Sequence, residues 1–83
     1  MSLQSKVLQY LNSKPDAWAI KVNSANERGC PDILCCCHGK FYAFEIKEGK
    51  DKTSPIQAAQ IELIKQAGGK AIVVRDIEQV KGE

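Results

Sequence analysis

Hydrophobic positions along this chain recur with two periods, one typical of helices and one typical of strands. The first stretch has helical spacing and ends at the polar, proline-containing segment 12–15. Its apolar positions are Leu3, Val7, Tyr10 and Leu11. Residues 17–22 then alternate apolar and other side chains, which predicts a β-strand. The polar segment 23–31, which contains Gly29 and Pro31, is predicted to be a loop.

Two further apolar runs, residues 33–37 and 40–47, are separated by His38-Gly39. Glycine in the second position of a two-residue loop suits a tight hairpin turn. Both runs carry apolar residues on both faces. We therefore expect these strands to lie centrally in a sheet that helices cover on each side.

The second half of the chain predicts a helix, a strand and a short terminal helix. Ser54 is placed as an N-cap before Pro55, and Gly68-Gly69 ends the helix. Its apolar stripe is predicted to comprise Ile56, Ala59, Leu63, Ile64 and Ala67. Residues 70–75 form the last strand, and Asp76 caps the final helix. The prediction is an α/β fold with the order α-β-β-β-α-β-α.

Size and composition narrow the class of protein. The 83 residues, 43% hydrophobic and 27% charged, suit one globular domain spanning residues 1–83. A core this small makes a homodimer a reasonable expectation. The net charge of +2 permits a nucleic-acid partner without demanding one. No segment resembles a signal peptide or a membrane span, so we expect a cytoplasmic protein that does not interact with membranes.

The four cysteines are expected to be reduced thiols. Cys35, Cys36 and Cys37 are consecutive, so their side chains alternate between the faces of a strand. The same alternation argues against zinc binding by these cysteines with His38, because their spacing also lacks the usual paired pattern. Small buried strand residues are the favoured interpretation.

The chemistry-bearing residues follow from the predicted hairpin. If His38-Gly39 is the turn, counting back along the strands places Asp32 opposite Glu45, and Lys47 shares their face. Two adjacent carboxylates suit a hard divalent cation such as Mg²⁺, and a nearby lysine suits a reacting phosphate group. The alternative is a surface cluster in which these charges only pair with one another.

Beyond this trio, the sequence resembles a known family. Gly29-Cys30-Pro31-Asp32 followed by Glu45-Ile46-Lys47 is similar to the motif of the PD-(D/E)XK, or restriction-endonuclease-like, nucleases. The continuation resembles the VRR-NUC domain, and the similarity extends from the first helix to Val80. This continuation consists of Thr53-Ser54-Pro55-Ile56-Gln57, Gln66-Ala67-Gly68-Gly69 and Ile72-Val73-Val74-Arg75.

The resemblance implies a mixed central sheet flanked by helices and a Mg²⁺- or Mn²⁺-dependent deoxyribonuclease without a small-molecule cofactor. Asp32, Glu45 and the main-chain carbonyl of Ile46 would bind the metal, and Lys47 would position or activate water. Stand-alone members of this size resemble phage or bacterial proteins that dimerise and cut branched DNA such as Holliday junctions. Relatives often carry an acidic residue on the first helix, where this chain offers only Gln4.

Two glutamines have competing interpretations. Gln57 matches a family position near the catalytic residues, and it also stands where a capping box with Ser54 would place it. Gln60 either contacts a water network at the site or lies at the rim of the core.

Several cations and aromatic residues are weaker candidates. The predicted DNA contacts are Lys21, Arg28, Lys50 and Lys52 together with Gln60, although solvated surface charges are the commoner case for the four cations. Trp18 and Tyr42 are expected to pack in the protein rather than stack on bases.

The sequence therefore supports two functions. The first is a metal-dependent endonuclease that cuts branched DNA as a homodimer. The alternative is a catalytically weak or silent DNA-binding module with the nuclease fold, because the first helix lacks the acidic residue.

Overall fold

Seven elements follow one another in the predicted order in the computed structural model, which describes residues 1–83. Their bounds are α1 Leu3–Asn12, β1 Ala17–Lys21, β2 Ile33–Cys37, β3 Lys40–Ile46, α2 Pro55–Gln66, β4 Lys70–Val74 and α3 Ile77–Lys81. The predicted fold class is confirmed, and the strand ends differ from prediction by only one residue. No helix has the length and apolarity needed to cross a bilayer.

The turn between β2 and β3 determines the register of the sheet. His38 and Gly39 both have positive φ angles, 53° and 75°, as a tight two-residue hairpin turn requires. Cys37 pairs with Lys40 and Ile33 pairs with Phe44, which is the predicted register. The prediction that two residues form this turn is therefore confirmed.

The four strands form one mixed sheet in the order β1-β2-β3-β4. The first three strands are antiparallel neighbours, and β4 runs parallel to β3. One face packs against α1 and α3 around Val7, Ile33 and Phe44. The opposite face packs under α2 around Ala43, Ile61 and Ala71. Helices thus lie on both faces of the hairpin, as its apolar pattern predicts.

Most of the predicted apolar stripe of α2 is wrong, although Ile64 does pack against the sheet side. Leu63 is 57% exposed and Ile56 is 38% exposed, whereas Ile61 is buried against the sheet. The face that meets the sheet carries Gln57, Gln60, Ile61 and Ile64. A hydrogen bond from Gln57 to Glu45 holds the first turn of the helix in this rotation. The sheet-facing side of α2 therefore combines this polar contact with the packing of Ile61 and Ile64, and it leaves Leu63 and Ile56 exposed.

Part of the face under α2 stays uncovered because the helix lies over β3 and β4 only. Trp18 (59% exposed), Ile20 (41%) and Phe41 (43%) lie on this open part of the sheet. The expectation that Trp18 packs inside the protein is therefore wrong. Tyr42 does pack, because its ring stacks on Phe44 at a centroid distance of 6.0 Å. Trp18, Ile20, Phe41 and the outer α2 residue Leu63 are called the open apolar surface below.

Each edge of the sheet is bonded to an amide side chain from a neighbouring helix. At the β1 edge, the Asn12 amide accepts a hydrogen bond from Ala19 N and donates one to the Ala19 carbonyl, both at 3.3 Å. At the β4 edge, Gln79 Nε2 donates to the carbonyl of Val73 at 3.1 Å. These side chains satisfy backbone groups that an unprotected edge would offer to another strand.

Candidate active site

Asp32 and Glu45 meet where β2 begins and β3 ends. The pairing of Ile33 with Phe44 extends by one residue to place Asp32 across from Glu45. The Asp32 carbonyl accepts a hydrogen bond from Val22 N at 2.8 Å, which continues the ladder with β1. Its Oδ2 atom accepts another from Ile46 N at 2.9 Å. The aspartate is therefore fixed by its main chain on one side and by its carboxylate on the other.

Glu45 is a carboxyl group enclosed by protein, with only 2% of its surface exposed. Burial raises its pKa to about 7, assisted by the negative charge of Asp32 and by a hydrogen bond with that residue. Lys47 acts in the opposite direction and lowers the pKa. Near neutral pH, Glu45 is therefore close to the point where it gains or loses a proton, in a place where a cation would relieve the repulsion from Asp32.

Gln57 serves both of the functions that its sequence position suggests. Its backbone N donates to Ser54 Oγ at 3.2 Å and its Oε1 accepts from Ser54 N at 2.9 Å, which completes a capping box. Its Nε2 donates to Glu45 Oε1 at 3.1 Å. One side chain thus begins α2 and orients the buried carboxyl group.

Lys47 follows β3 by one residue and remains on the Glu45 face. Its backbone N donates to the Val74 carbonyl at 2.9 Å, which extends the parallel pairing with β4 beyond the end of the strand. The side chain is half-buried, and its charge acts on Glu45. The predicted trio of Asp32, Glu45 and Lys47 is therefore brought together on one face of the sheet.

The loop that leads to Asp32 packs closely against the beginning of α2. Gly29 has a φ angle of +79°, and a Cβ atom there would lie 2.7 Å from the Ile56 carbonyl oxygen. Only glycine permits this approach, so it closes the loop over the site. The next residue, Cys30, is half-buried, and burial followed by the charges of Glu45 and Asp32 raises its pKa. Its thiol therefore stays protonated beside the carboxyl groups.

The oxygen atoms that suit a divalent cation come from two side chains. No group of three or more His, Cys, Asp or Glu residues is arranged to hold a metal ion. Helix α1 has no acidic residue in its sequence, LQSKVLQYLN. A cation here would rely on Asp32, Glu45, main-chain oxygen and water, which is the usual mixture of ligands for Mg²⁺. The placement of Asp32 across from the buried Glu45, with both side chains offering carboxylate oxygens, is the observation that supports this fit.

The remaining predicted residues occupy different places around the site. Lys50 and Lys52 are exposed in the loop after Lys47, and Arg28 is exposed in the loop before Asp32. Lys21 pairs with Ile33 and so lies on the opposite face of the sheet from the carboxyl pair. The half-buried Gln60 lies on the sheet side of α2, and its side chain makes no hydrogen bond within the protein.

The structure also gives a specific role to Arg75, which the pattern of residues did not single out as a site residue. Its guanidinium donates hydrogen bonds to the carbonyls of Gly49, at 3.3 Å, and Asp51, at 2.6 Å. Both acceptors are backbone atoms more than twenty positions away. Neither charge pattern nor hydrophobic period predicts a contact of this kind.

Two solved structures share this architecture. A structure described as a VRR_NUC domain has a TM-score of 0.70 and 22% identity over 95% of this chain and 83% of its own. The Holliday junction resolvase Hjc of Archaeoglobus fulgidus has a TM-score of 0.65 and 22% identity over 88% of this chain. This chain covers 63% of that resolvase. These likenesses show that the chain shares the fold of these two structures, as the motifs predict.

Sequence comparisons give a family as well as a fold. None of the curated protein sequences is similar enough to this chain to count as a match. A family model does match, however, and it covers residues 18–81, which include all three residues of the trio and both strands that carry them. The chain therefore belongs to the family described as archaeal Holliday junction resolvase (Hjc).

Proposed function

We propose that this chain, as one nuclease domain, hydrolyses phosphodiester bonds in branched DNA with the help of Mg²⁺, for which Mn²⁺ can substitute. The observation that carries the proposal is the carboxyl pair of Asp32 and Glu45, buried beside Lys47 so that the pKa of Glu45 rises to about 7. Membership of a junction resolvase family supports DNA as the substrate.

Each residue of the site has a separate task in this proposal. Asp32, Glu45 and the main-chain carbonyl of Ile46 would hold the cation, and Gln57 would keep Glu45 in its rotamer through the 3.1 Å hydrogen bond. When bound, a divalent cation stabilises charge on the phosphate and makes water more acidic. Lys47 would orient the attacking water or neutralise a phosphate oxygen, since an ammonium at the site stabilises developing negative charge.

The raised pKa of Glu45 couples metal binding to pH. Glu45 must lose its proton before it can bind a cation, because metal ligands bind in the deprotonated form. Lys47 favours that loss, since its charge lowers the pKa of Glu45. The site is therefore best prepared for metal just above neutral pH.

DNA would approach along the rim of the site. Arg28 and the pair Lys50 and Lys52 are exposed in the two loops that flank the trio, where they can contact phosphates. Gln60 lies beyond Gln57 on the same side of α2 and would meet the strand near the site. Lys21 lies on the other face and would contact only DNA that wraps around the β1 edge.

A homodimer would supply the two active sites that a four-way junction needs for paired cuts. The subunit measures 34 × 29 × 23 Å, which limits its contact with a branched substrate. The open apolar surface offers four exposed side chains for an interface between copies. A two-fold contact on this surface would pair two identical sites.

The alternative of a silent DNA-binding module retains one observation in its favour. The site has two side-chain carboxylates and no acidic residue from α1. A module of this kind would bind junctions and leave them intact with either metal.

Cleavage assays separate the two functions. We expect the wild-type protein with Mg²⁺ or Mn²⁺ to cut a four-way junction in preference to flap, single-stranded and duplex DNA. Asp32→Asn, Glu45→Gln and Lys47→Met should abolish cutting and leave the fold intact by circular dichroism. Glu62→Gln, which changes an exposed carboxylate on α2, is the matched control and should cut normally. If the wild type and these three variants are equally inert on all substrates, the endonuclease proposal fails.

A further inference from the structure

The loop after the catalytic lysine is held by a single arginine, Arg75, which directly follows β4. Residues 47–53 connect β3 to α2, and Gly49 within them has a φ angle of +61°. Asp51 N donates to the Glu48 carbonyl at 3.3 Å, so the chain turns sharply here. The two carbonyls that receive the Arg75 guanidinium, those of Gly49 and Asp51, lie inside this turn.

From this arrangement, we infer that Arg75 is a positioning residue that fixes the basic loop of Lys50 and Lys52 against the end of β4. Its planar guanidinium spans both carbonyls, which a lysine ammonium cannot do with the same geometry. The inference rests on the proposed function for its DNA-binding part, since these lysines are proposed phosphate contacts. Its structural part depends only on the loop.

Arg75 lies next to the residue of β4 that binds the backbone of Lys47, so it connects the loop with the catalytic centre. The preceding residue, Val74, accepts the hydrogen bond from Lys47 N at 2.9 Å. The end of β4 therefore holds the beginning of the loop through a carbonyl and the middle of the loop through a side chain. Because Lys47 is fixed by main chain, loss of Arg75 should release the two following lysines and leave the catalytic lysine in place.

The backbone of Arg75, directly after β4, is fixed by a hydrogen bond to Gln79. Arg75 N donates to Gln79 Oε1 at 2.6 Å, and Gln79 belongs to the capping box that begins α3. Arg75 therefore projects from a well-anchored point rather than from a free end. Its guanidinium donates hydrogen bonds to carbonyls of the protein, which favours a positioning role. The competing interpretation is that Arg75 contacts DNA directly.

Two substitutions distinguish positioning from direct contact. Arg75→Gln removes the charge and the fork, and Arg75→Lys keeps the charge but cannot bridge the carbonyls. We expect both variants to bind a four-way junction about tenfold more weakly in EDTA, where no cutting occurs. In cleavage assays KM should rise while kcat changes less than twofold. If Arg75→Lys binds as tightly as the wild type, charge alone matters and positioning is refuted.

A double-mutant cycle gives an independent answer. Lys50→Gln combined with Lys52→Gln removes the cations that Arg75 is inferred to place. Adding Arg75→Gln to that variant should weaken binding less than twofold, because the loop has no charge left to position. A further tenfold loss would show that Arg75 contacts phosphate itself. Lys40→Gln, an exposed cation at the opposite end of β3, controls for net charge.

Limited trypsin digestion tests the loop without DNA. In both Arg75 variants, the initial rate of cleavage after Lys50 and Lys52 should rise about tenfold relative to cleavage elsewhere in the chain. The melting temperature, measured alongside, separates local release from global unfolding. An unchanged ratio of loop cleavage to cleavage elsewhere refutes the positioning role. If the wild type does not bind DNA, the DNA-binding part fails with the proposed function, and digestion still decides the structural part.

Discussion

Replacing Glu45 by glutamine should stabilise the protein and abolish its activity together. Glutamine has nearly the same shape as glutamate and can still accept the hydrogen bond from Gln57 Nε2. It cannot become negative, and its own amide can donate to the carboxylate of Asp32. The substitution therefore removes the repulsion between the buried carboxylate of Glu45 and the half-buried carboxylate of Asp32, and it leaves their packing intact.

The size of the effect follows from the pKa of Glu45, which is raised from 4.5 to about 7. Each tenfold change in acid constant corresponds to about 1.36 kcal/mol, which gives an upper bound of about 3 kcal/mol. Solvent around Asp32 and Lys47 screens the charges, so we expect about 1–2 kcal/mol.

The sign depends on pH. Below pH 4.5 the carboxyl group is protonated in both the folded and the unfolded chain. Between there and about 7 the folded chain keeps a proton that the unfolded chain has lost. The free energy of unfolding of the wild type therefore decreases as pH rises through this window. The Glu45→Gln variant does not show this decrease, because glutamine does not titrate.

Thermal unfolding in EDTA at pH 4 and pH 8 measures this difference. At pH 8 the melting temperature of Glu45→Gln should exceed that of the wild type by at least about 4 °C, and at pH 4 the two should agree closely. Glu62→Gln, an exposed change of the same type, should show no such dependence on pH. If Glu45→Gln is destabilised at pH 8, or if its advantage is equal at both pH values, the inference that the pKa of Glu45 is raised in the folded protein is wrong.

Three further predictions follow from the same contacts. The apparent affinity for Mg²⁺ or Mn²⁺ should increase up to tenfold per pH unit below about pH 7, because a proton competes with the metal for Glu45, and it should level off above that pH. Calorimetry that shows no dependence on pH contradicts this. Gly29→Ala should cost at least about 2 kcal/mol more than Gly39→Ala in denaturant unfolding, because both have positive φ but only Gly29 lies against the α2 backbone; equal costs would mean that strain alone decides. Phe41→Ser with Leu63→Ser should convert a dimer into a 9.2 kDa monomer in sedimentation, and a wild type that is already monomeric would exclude this interface.

The turn and the carboxyl pair could be predicted because their causes are local. A two-residue loop with glycine determines which residues face one another, and counting along the strands then places Asp32 opposite Glu45. Capping residues likewise mark where α2 and α3 begin. These features depend on neighbours in sequence, so residue type and spacing are sufficient.

The rotation of α2 and the contacts of Arg75 could not be predicted because their causes are distant in sequence. Leu63 and Ile56 match a helical stripe as well as Ile61 does, and the buried face is selected by the contacts that Gln57 and Ile61 make with the sheet. Arg75 bonds to carbonyls, which every residue carries, so sequence offers no mark of its partners. The exposure of Trp18 depends on how far α2 extends across the sheet, which is a property of the whole fold.

The amides of Asn12 and Gln79 at the two sheet edges have a consequence for the stoichiometry of any assembly. An open edge of a sheet offers backbone groups to strands of other copies, and these side chains occupy backbone groups at both edges. Association is thereby directed to the face of the sheet, where a two-fold contact closes after two copies. A chain built in this way would carry two catalytic centres per particle, and the number would not grow with protein concentration.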